Sequence, residues 1–272
     1  LRIGIFDSGI GGLTVLAAIR ARLPGHDLLY LGDTARIPYG TRSPRTVVRY
    51  SLRVASHLYD QGIDAMVVAC NTATTHALPH LERACAEVGI PVFGVVEPGV
   101  EAALAATRGG AVAVLGTPST IAGAAYQKAL AARAPDLEVH TVACPLFVPL
   151  VEEGWTSGDV PTLVARSYLE GLVGKVDVAV LGCTHYPLLR GVLGDILVGT
   201  TLVDSATATA DAMARTLGEA PGNGSVSFMV TDHAARFVDV GARFFGAEPT
   251  PVTLVDVADA AGAFDRPPGS PG

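Results

Sequence analysis

The chain has 272 residues, 49% of them hydrophobic and 17% charged, with a formal net charge of −7. That is enough apolar chain for a large core and for two domains of about 100 to 150 residues each, while the acidic balance and singly scattered basic residues argue against a nucleic-acid partner. No window reaches about 18 uninterrupted apolar residues and the N-terminus runs straight into an apolar strand, so neither a membrane span nor a secretion signal is expected, and the cytoplasm is the expected location.

Residues 2–6 read as a first strand and residues 13–23 as a helix closed by Pro24-Gly25. Between them, Asp7-Ser8-Gly9-Ile10-Gly11-Gly12 allows a tight turn that brings backbone amides toward an anion at the helix N-terminus. The stretch reads equally well as a plain strand-to-helix turn capped by Asp7 or Ser8. Residues 28–31 form a second strand ending in Gly32-Asp33-Thr34, and the two-proline loop 36–44 follows, where Tyr39 and Gly40 suit ligand contact. A helix is expected over 45–61. The strand at 65–69 delivers Cys70, and a helix from about Thr74 places its sulfur near unpaired amides, a setting that lowers a thiol pKa.

Residues 91–95 make another strand, Glu97-Pro98-Gly99 marks a crossover, and a helix over 100–106 leads to a strand at 112–115. That strand ends in Gly116-Thr117-Pro118-Ser119-Thr120, so the pattern of residues 3–23 restarts and a second α/β unit is expected. A strand at 139–143 precedes Cys144-Pro145 and the pair Glu152-Glu153, which reads as a solvated helix start unless a site residue lies near it. The strand at 176–181 delivers Cys183, Thr184, His185 and Tyr186, with Pro187 opening a helix. A strand at 201–203, a helix from Asp204-Ser205-Ala206, a strand at 228–230, an amphipathic run over 234–245 and a disordered tail at 266–272 complete the chain.

Four cysteines are too few for a disulfide framework, so free thiols are expected. Cys70 and Cys183 both end apolar, parallel-type strands. They lie too far apart for one local metal motif, and although His76 and His185 could be recruited there is no second close cysteine or histidine pair, so no metal centre is expected. A single Cys-His nucleophile leaves one thiol idle. Inversion at a carbon acid uses both, one thiolate removing a proton from one face and the other thiol returning one to the opposite face.

Taken together, residues 5–12, Gly32-Asp33-Thr34 with Pro38-Tyr39-Gly40, residues 69–74, Gly116-Thr117 with Thr120, Cys144-Pro145-Leu146 with residues 152–154, and residues 181–187 closely resemble the glutamate racemase family. The resemblance implies two pseudo-symmetric α/β domains with mostly parallel sheets and an active site in the cleft between them. One domain is expected from 1–96 plus 206–265 and the other from 97–205. It further implies a cofactor-independent enzyme that interconverts L- and D-glutamate for peptidoglycan synthesis and acts as a homodimer. By resemblance Cys70 and Cys183 are the two bases, Asp7 assists the first, and His185 with Glu152 assists the second, Glu153 standing as the adjacent alternative. Ser8, Tyr39, Gly40, Asn71, Thr72, Thr117, Thr120 and Thr184 then hold the substrate. An aspartate racemase would share both cysteines, a single-thiol decarboxylase only one, and a two-domain amino-acid binding protein would need neither.

Overall fold

A computed structural model describes residues 1–257 and Phe264, so the tail expected at 266–272 lies outside the described residues. Ten strands among them form two sheets in which all neighbours run parallel. The first contains β1 (Arg2–Asp7), β2 (Asp27–Gly32), β3 (Ala65–Val68), β4 (Val92–Gly94), β9 (Val226–Val230) and β10 (Val252–Leu254), in the order β10-β9-β2-β1-β3-β4. The second contains β5 (Ala111–Gly116), β6 (Val139–Ala143), β7 (Val176–Gly182) and β8 (Thr201–Asp204), in the order β6-β5-β7-β8.

The two sheets repeat one winding. Strands β1 to β4 lie in the order β2-β1-β3-β4, and β5 to β8 in the equivalent order β6-β5-β7-β8. Cys70, just past β3, and Cys183, just past β7, therefore occupy corresponding places. In such sheets a ligand crevice opens outside the strand C-termini where the winding reverses, which here is beside β1 and β3 and beside β5 and β7.

Strand composition follows from burial on both faces. Every residue of β5, Ala-Val-Ala-Val-Leu-Gly, is buried, and alternate side chains serve opposite layers. Ala113 and Leu115 join a core that continues through Ile3, Ile5, Leu16 and Leu181, linking facing sides of the two sheets. Val112 and Val114 turn away to pack with Val100, Leu130, Val178 and Val180. The remote face of the first sheet packs Phe6, Leu29, Leu31 and Val68 against Val54, Leu58 and Leu81.

Among the described residues, eleven helices cover these faces: α1 (Leu13–Arg22), α2 (Pro44–Asp60), α3 (Asn71–Ala86), α4 (Val96–Ala106), α5 (Pro118–Gly123), α6 (Ala125–Arg133), α7 (Phe147–Glu152), α8 (Asp159–Leu169), α9 (Arg190–Ile196), α10 (Ser205–Leu217) and α11 (Ala234–Phe245). Helix α10, capped by Asp204 on the Ala206 amide, packs against both α1 and α4. Helix α11 places Phe237, Val240 and Phe244 in the core and stops at Gly246, whose φ of 79° provides the left-handed turn that ends it. Among the described residues, no helix is long and apolar enough to cross a membrane.

Several local expectations are corrected. Glu97-Pro98-Gly99 does lie where the chain passes from β4 of the first sheet to β5 of the second, but inside the first turns of α4, which starts at Val96 rather than Val100 and where the missing proline N–H breaks no helical bond. Helix α3 begins at Asn71 rather than near Thr74, with Cys70 itself as N-cap. Glu152 ends α7 instead of starting a helix. Pro187 sits in a short 3-10 turn, Tyr186–Leu189, ahead of α9. The N-cap of α1 is Gly12 without a side-chain cap, because Asp7 spends Oδ2 on the Gly9 amide at 2.9 Å.

Candidate active site

A cavity of about 370 Å³ opens where the strand ends of the two sheets face each other. From the first sheet and its loops come Ser8, Tyr39, Gly40, Cys70, Asn71 and Thr72; from the second come Thr117, Glu152, Cys183, Thr184 and His185. Asp7 and Thr120 do not line it. Asp7 is buried nearby, where its charge bears on Cys70, and Thr120 supports Thr72 and Thr117.

Each thiol has its own setting. Cys70 donates to Ser8 Oγ at 3.5 Å and receives the Ala73 amide at 3.4 Å. The helix-end amide does favour a thiolate, yet the expectation of a lowered pKa fails. Burial, and secondarily the Asp7 charge, push the Cys70 thiol up to about 12. Asp7 is itself raised, again by burial, against the opposing pull of His185 and the amides of Gly9, Gly12 and Ser8.

Cys183 Sγ lies 4.0 Å from His185 Nδ1, and His185 Nε2 lies 3.1 Å from Glu152 Oε1. Glu152 is thus the member of the acidic pair that reaches the site. Exposed Glu153 pairs with Arg236 at 3.3 Å, while Arg236 also approaches Glu152 Oε2 at 3.5 Å and Arg243 donates to the Glu152 carbonyl at 3.0 Å. The His185 ring stands edge-on to Phe244, with centroids 5.0 Å apart.

Hydroxyls join the two sides of the cavity. Thr72 Oγ1 from α3 lies 3.0 Å from both Thr117 Oγ1 and Thr120 Oγ1, which are 3.0 Å from each other. Thr14 Oγ1 reaches the Thr184 carbonyl at 3.3 Å. Gly11 lets this approach happen: a Cβ there would stand 2.2 Å from Thr184 Oγ1 and 2.4 Å from His185 Nδ1. The glycine-rich stretch therefore serves close packing between the two cysteine-bearing halves.

A model of the Asp/Glu/hydantoin racemase family matches residues 14–213. The chain belongs to that family. It is 52% identical over 254 residues to glutamate racemase of Geobacter metallireducens, covering 90% of this chain and 93% of the relative. Among solved structures it resembles glutamate racemase of Thermus thermophilus in complex with beta-chloro-D-alanine, with TM-score 0.84, 42% identity, and 93% and 96% of the two chains covered. It also resembles that of Francisella tularensis in complex with D-glutamate, with TM-score 0.87, 34% identity, and 94% and 97% covered.

Three residues that shape the cavity of this racemase had not been singled out from sequence. Asp33 accepts from the Tyr39 hydroxyl at 2.6 Å, from Arg36 at 2.8 Å and from Thr231 at 3.0 Å, which pins the Tyr39-Gly40 loop. The Tyr39 phenol is committed to this bond and is fully buried, so it supports the loop. Tyr126 and Arg236 reach Asn71 and Glu152 from elements distant in sequence. Only Asp33 carried a signal, as a polar residue directly after a strand.

His185 gives the site its pH signature. Burial works against its charged form, but the bonds and charges of Cys183 and Glu152 prevail and raise its pKa from 6.5 to about 10. Since the folded state then binds the proton more tightly than the unfolded chain, this stabilisation is complete below about pH 6.5 and is lost as pH rises through 10. NMR titration of the imidazole should show a midpoint near 10 in the wild type and a lower one in Glu152→Gln. A wild-type midpoint at the ordinary value, or no change on removing the Glu152 charge, would contradict the arrangement.

Proposed function

We propose that this racemase interconverts L- and D-glutamate through two bases, Cys70 and Cys183, without a cofactor. The observation that carries the reading is their placement at corresponding strand ends of two sheets, both thiols lining one cavity. One thiolate takes the α-proton from one face; the planar carbanion then receives a proton from the other thiol on the opposite face, and the roles exchange in the reverse direction. Cys70, raised to about 12, rests with its proton in place. Cys183 faces the His185–Glu152 pair, which supplies an opposite charge for a thiolate and a group able to move a proton.

The substrate carboxylates require donors because negative charge grows on the α-carboxylate as the proton leaves. Ser8, Asn71, Thr72, Thr117 and Thr184, with the backbone of Tyr39 and Gly40, supply them in this reading. Glutamate as substrate is supported by the relatives' activity and by the Francisella structure, which holds D-glutamate. The division into residues 1–96 with 206–265 and 97–205 is supported by strand membership of the two sheets. The resemblance adds a role in peptidoglycan synthesis and a cytoplasmic homodimer.

Polarimetry with the purified protein tests the substrate. Either enantiomer of glutamate should decay to zero optical rotation without added cofactor, and aspartate should decay far more slowly. Unchanged rotation with glutamate, or faster conversion of aspartate, would overturn the assignment.

A further inference from the structure

Helix α11 lies between β9 and β10 of the first sheet, yet it holds Glu152 of the second half at both ends of that residue. Arg243 Nη1 donates to the Glu152 main-chain carbonyl at 3.0 Å. Arg236 Nη2 donates to the side chain, Oε2, at 3.5 Å and also reaches Glu153 Oε1 at 3.3 Å. The carbonyl needs such a donor, because Glu152 ends α7 and the last carbonyls of a helix have no intrahelical partner. Arg236 and Arg243 are seven residues apart on α11, two turns along one face. From the next position Phe244 sets its ring against that of His185, with centroids 5.0 Å apart. The Glu152 carboxylate is thereby divided: Oε2 turns to Arg236, while Oε1 lies 3.1 Å from His185 Nε2.

We infer that Arg236 and Arg243 are positioning residues of this racemase: reaching across from the first half, they hold Glu152 with Oε1 toward His185, and through that pair they set the surroundings of Cys183. The inference rests on the two-base reading and adds what keeps the second thiol's assisting pair in place. A glutamate side chain gives up rotamer freedom to stay in one orientation, and the two anchors supply the restraint. Both arginines are exposed, so replacing them leaves the core packed. Ion pairs at the surface add little to stability, which puts the expected signature at His185 rather than in the thermal midpoint.

NMR titration of His185 in the substrate-free protein separates positioning from mere proximity of charge, because the two act with opposite signs. The other charges that bear on the imidazole are those of Cys183, Glu152 and Asp7. Were the arginines bystanders, removing their positive charge would make His185 easier to protonate and raise its midpoint or leave it in place. If they hold Glu152, their removal lets the carboxylate swing away and the midpoint falls. A variant carrying both Arg236→Met and Arg243→Met should therefore titrate His185 about one pH unit below the wild type, toward the Glu152→Gln value, while Arg236→Lys alone stays near the wild type. The double arginine variant should also lose roughly 10-fold in kcat/KM for glutamate. In the Glu152→Gln background the same two changes should cost nothing further, since no carboxylate remains to hold. A midpoint that rises or stays in place, or an equal rate penalty with and without the Glu152 carboxylate, would overturn the inference. A wild type that fails to racemise glutamate would overturn the glutamate reading instead, and the substrate-free titration would still decide whether the arginines hold Glu152.

Discussion

Cys70→Ala and Cys183→Ala are each expected to lower kcat/KM for glutamate by about 10³-fold or more, with the fold intact. A positioned acid or base contributes on the order of 10²- to 10⁴-fold. A loss of 10³ corresponds to about 4 kcal/mol of transition-state stabilisation. Enantiomers have equal free energy, so each variant must lose the same factor in kcat/KM in both directions, whichever face it serves. Direction-specific effects can appear only in kcat and KM separately. Cys85→Ala serves as a control, because that buried thiol belongs to the core beneath α2 and α3 rather than to the cavity. Initial rates for both enantiomers, with circular dichroism to verify folding, decide the matter; near-normal activity in either active-site variant contradicts the two-base assignment.

Gly11→Ala is expected to be nearly as damaging although the residue bears no chemistry. Its new methyl would meet Thr184 Oγ1 at 2.2 Å and His185 Nδ1 at 2.4 Å, both far inside contact distance. Neither neighbour can retreat cheaply: Thr184 is tied through its carbonyl to Thr14, and His185 is held between Glu152 and the Phe244 ring. Overpacking of this kind costs about 1 to 3 kcal/mol of stability. A shift of about 1 Å in a group beside the reacting atoms costs roughly 10²-fold in rate. By contrast Gly191→Ala, at a helical position with open space around it, should be neutral or slightly stabilising. Thermal midpoints and kcat for the two variants separate these outcomes, and a Gly11→Ala enzyme with wild-type rate would show that the loop and the Cys183 segment are not in rigid contact.

The elements legible in the sequence are those whose residues face apolar surroundings on every side. The runs ending at Asp7, Cys70, Gly116 and Cys183 declare themselves because a parallel strand covered on both faces cannot hide a polar side chain. Edge strand β10 leaves Thr253 and Leu254 exposed and passes unnoticed. Helix α8 also escapes, since it buries only Pro161, Ala165 and Leu169 and gives a thin stripe. At the site, residue types at strand ends are readable and their mutual arrangement is not. Glu152 and His185 are 33 residues apart, and Asn71 and Tyr126 are 55 apart; topology alone brings each pair together. The Cys70 thiol illustrates the same limit. Its helix-end amide is local and visible, whereas the burial that dominates its pKa comes from packing among residues as distant in sequence as Phe6, Tyr39 and Met229.

The central claim, proton removal at one thiol and delivery from another, is tested most directly by running the reaction in deuterated water with protiated L-glutamate. At early conversion each thiol has exchanged its proton with solvent while the thiolate that abstracts has not yet returned one to the same face. Two bases therefore predict that newly formed D-glutamate carries deuterium at the α-carbon from the first turnovers while the remaining L-glutamate stays protiated, with the mirror result from D-glutamate. Early D-glutamate that retains the substrate's own α-hydrogen would instead mean that one group moves a single proton between the faces, and the account built on Cys70 and Cys183 would be wrong.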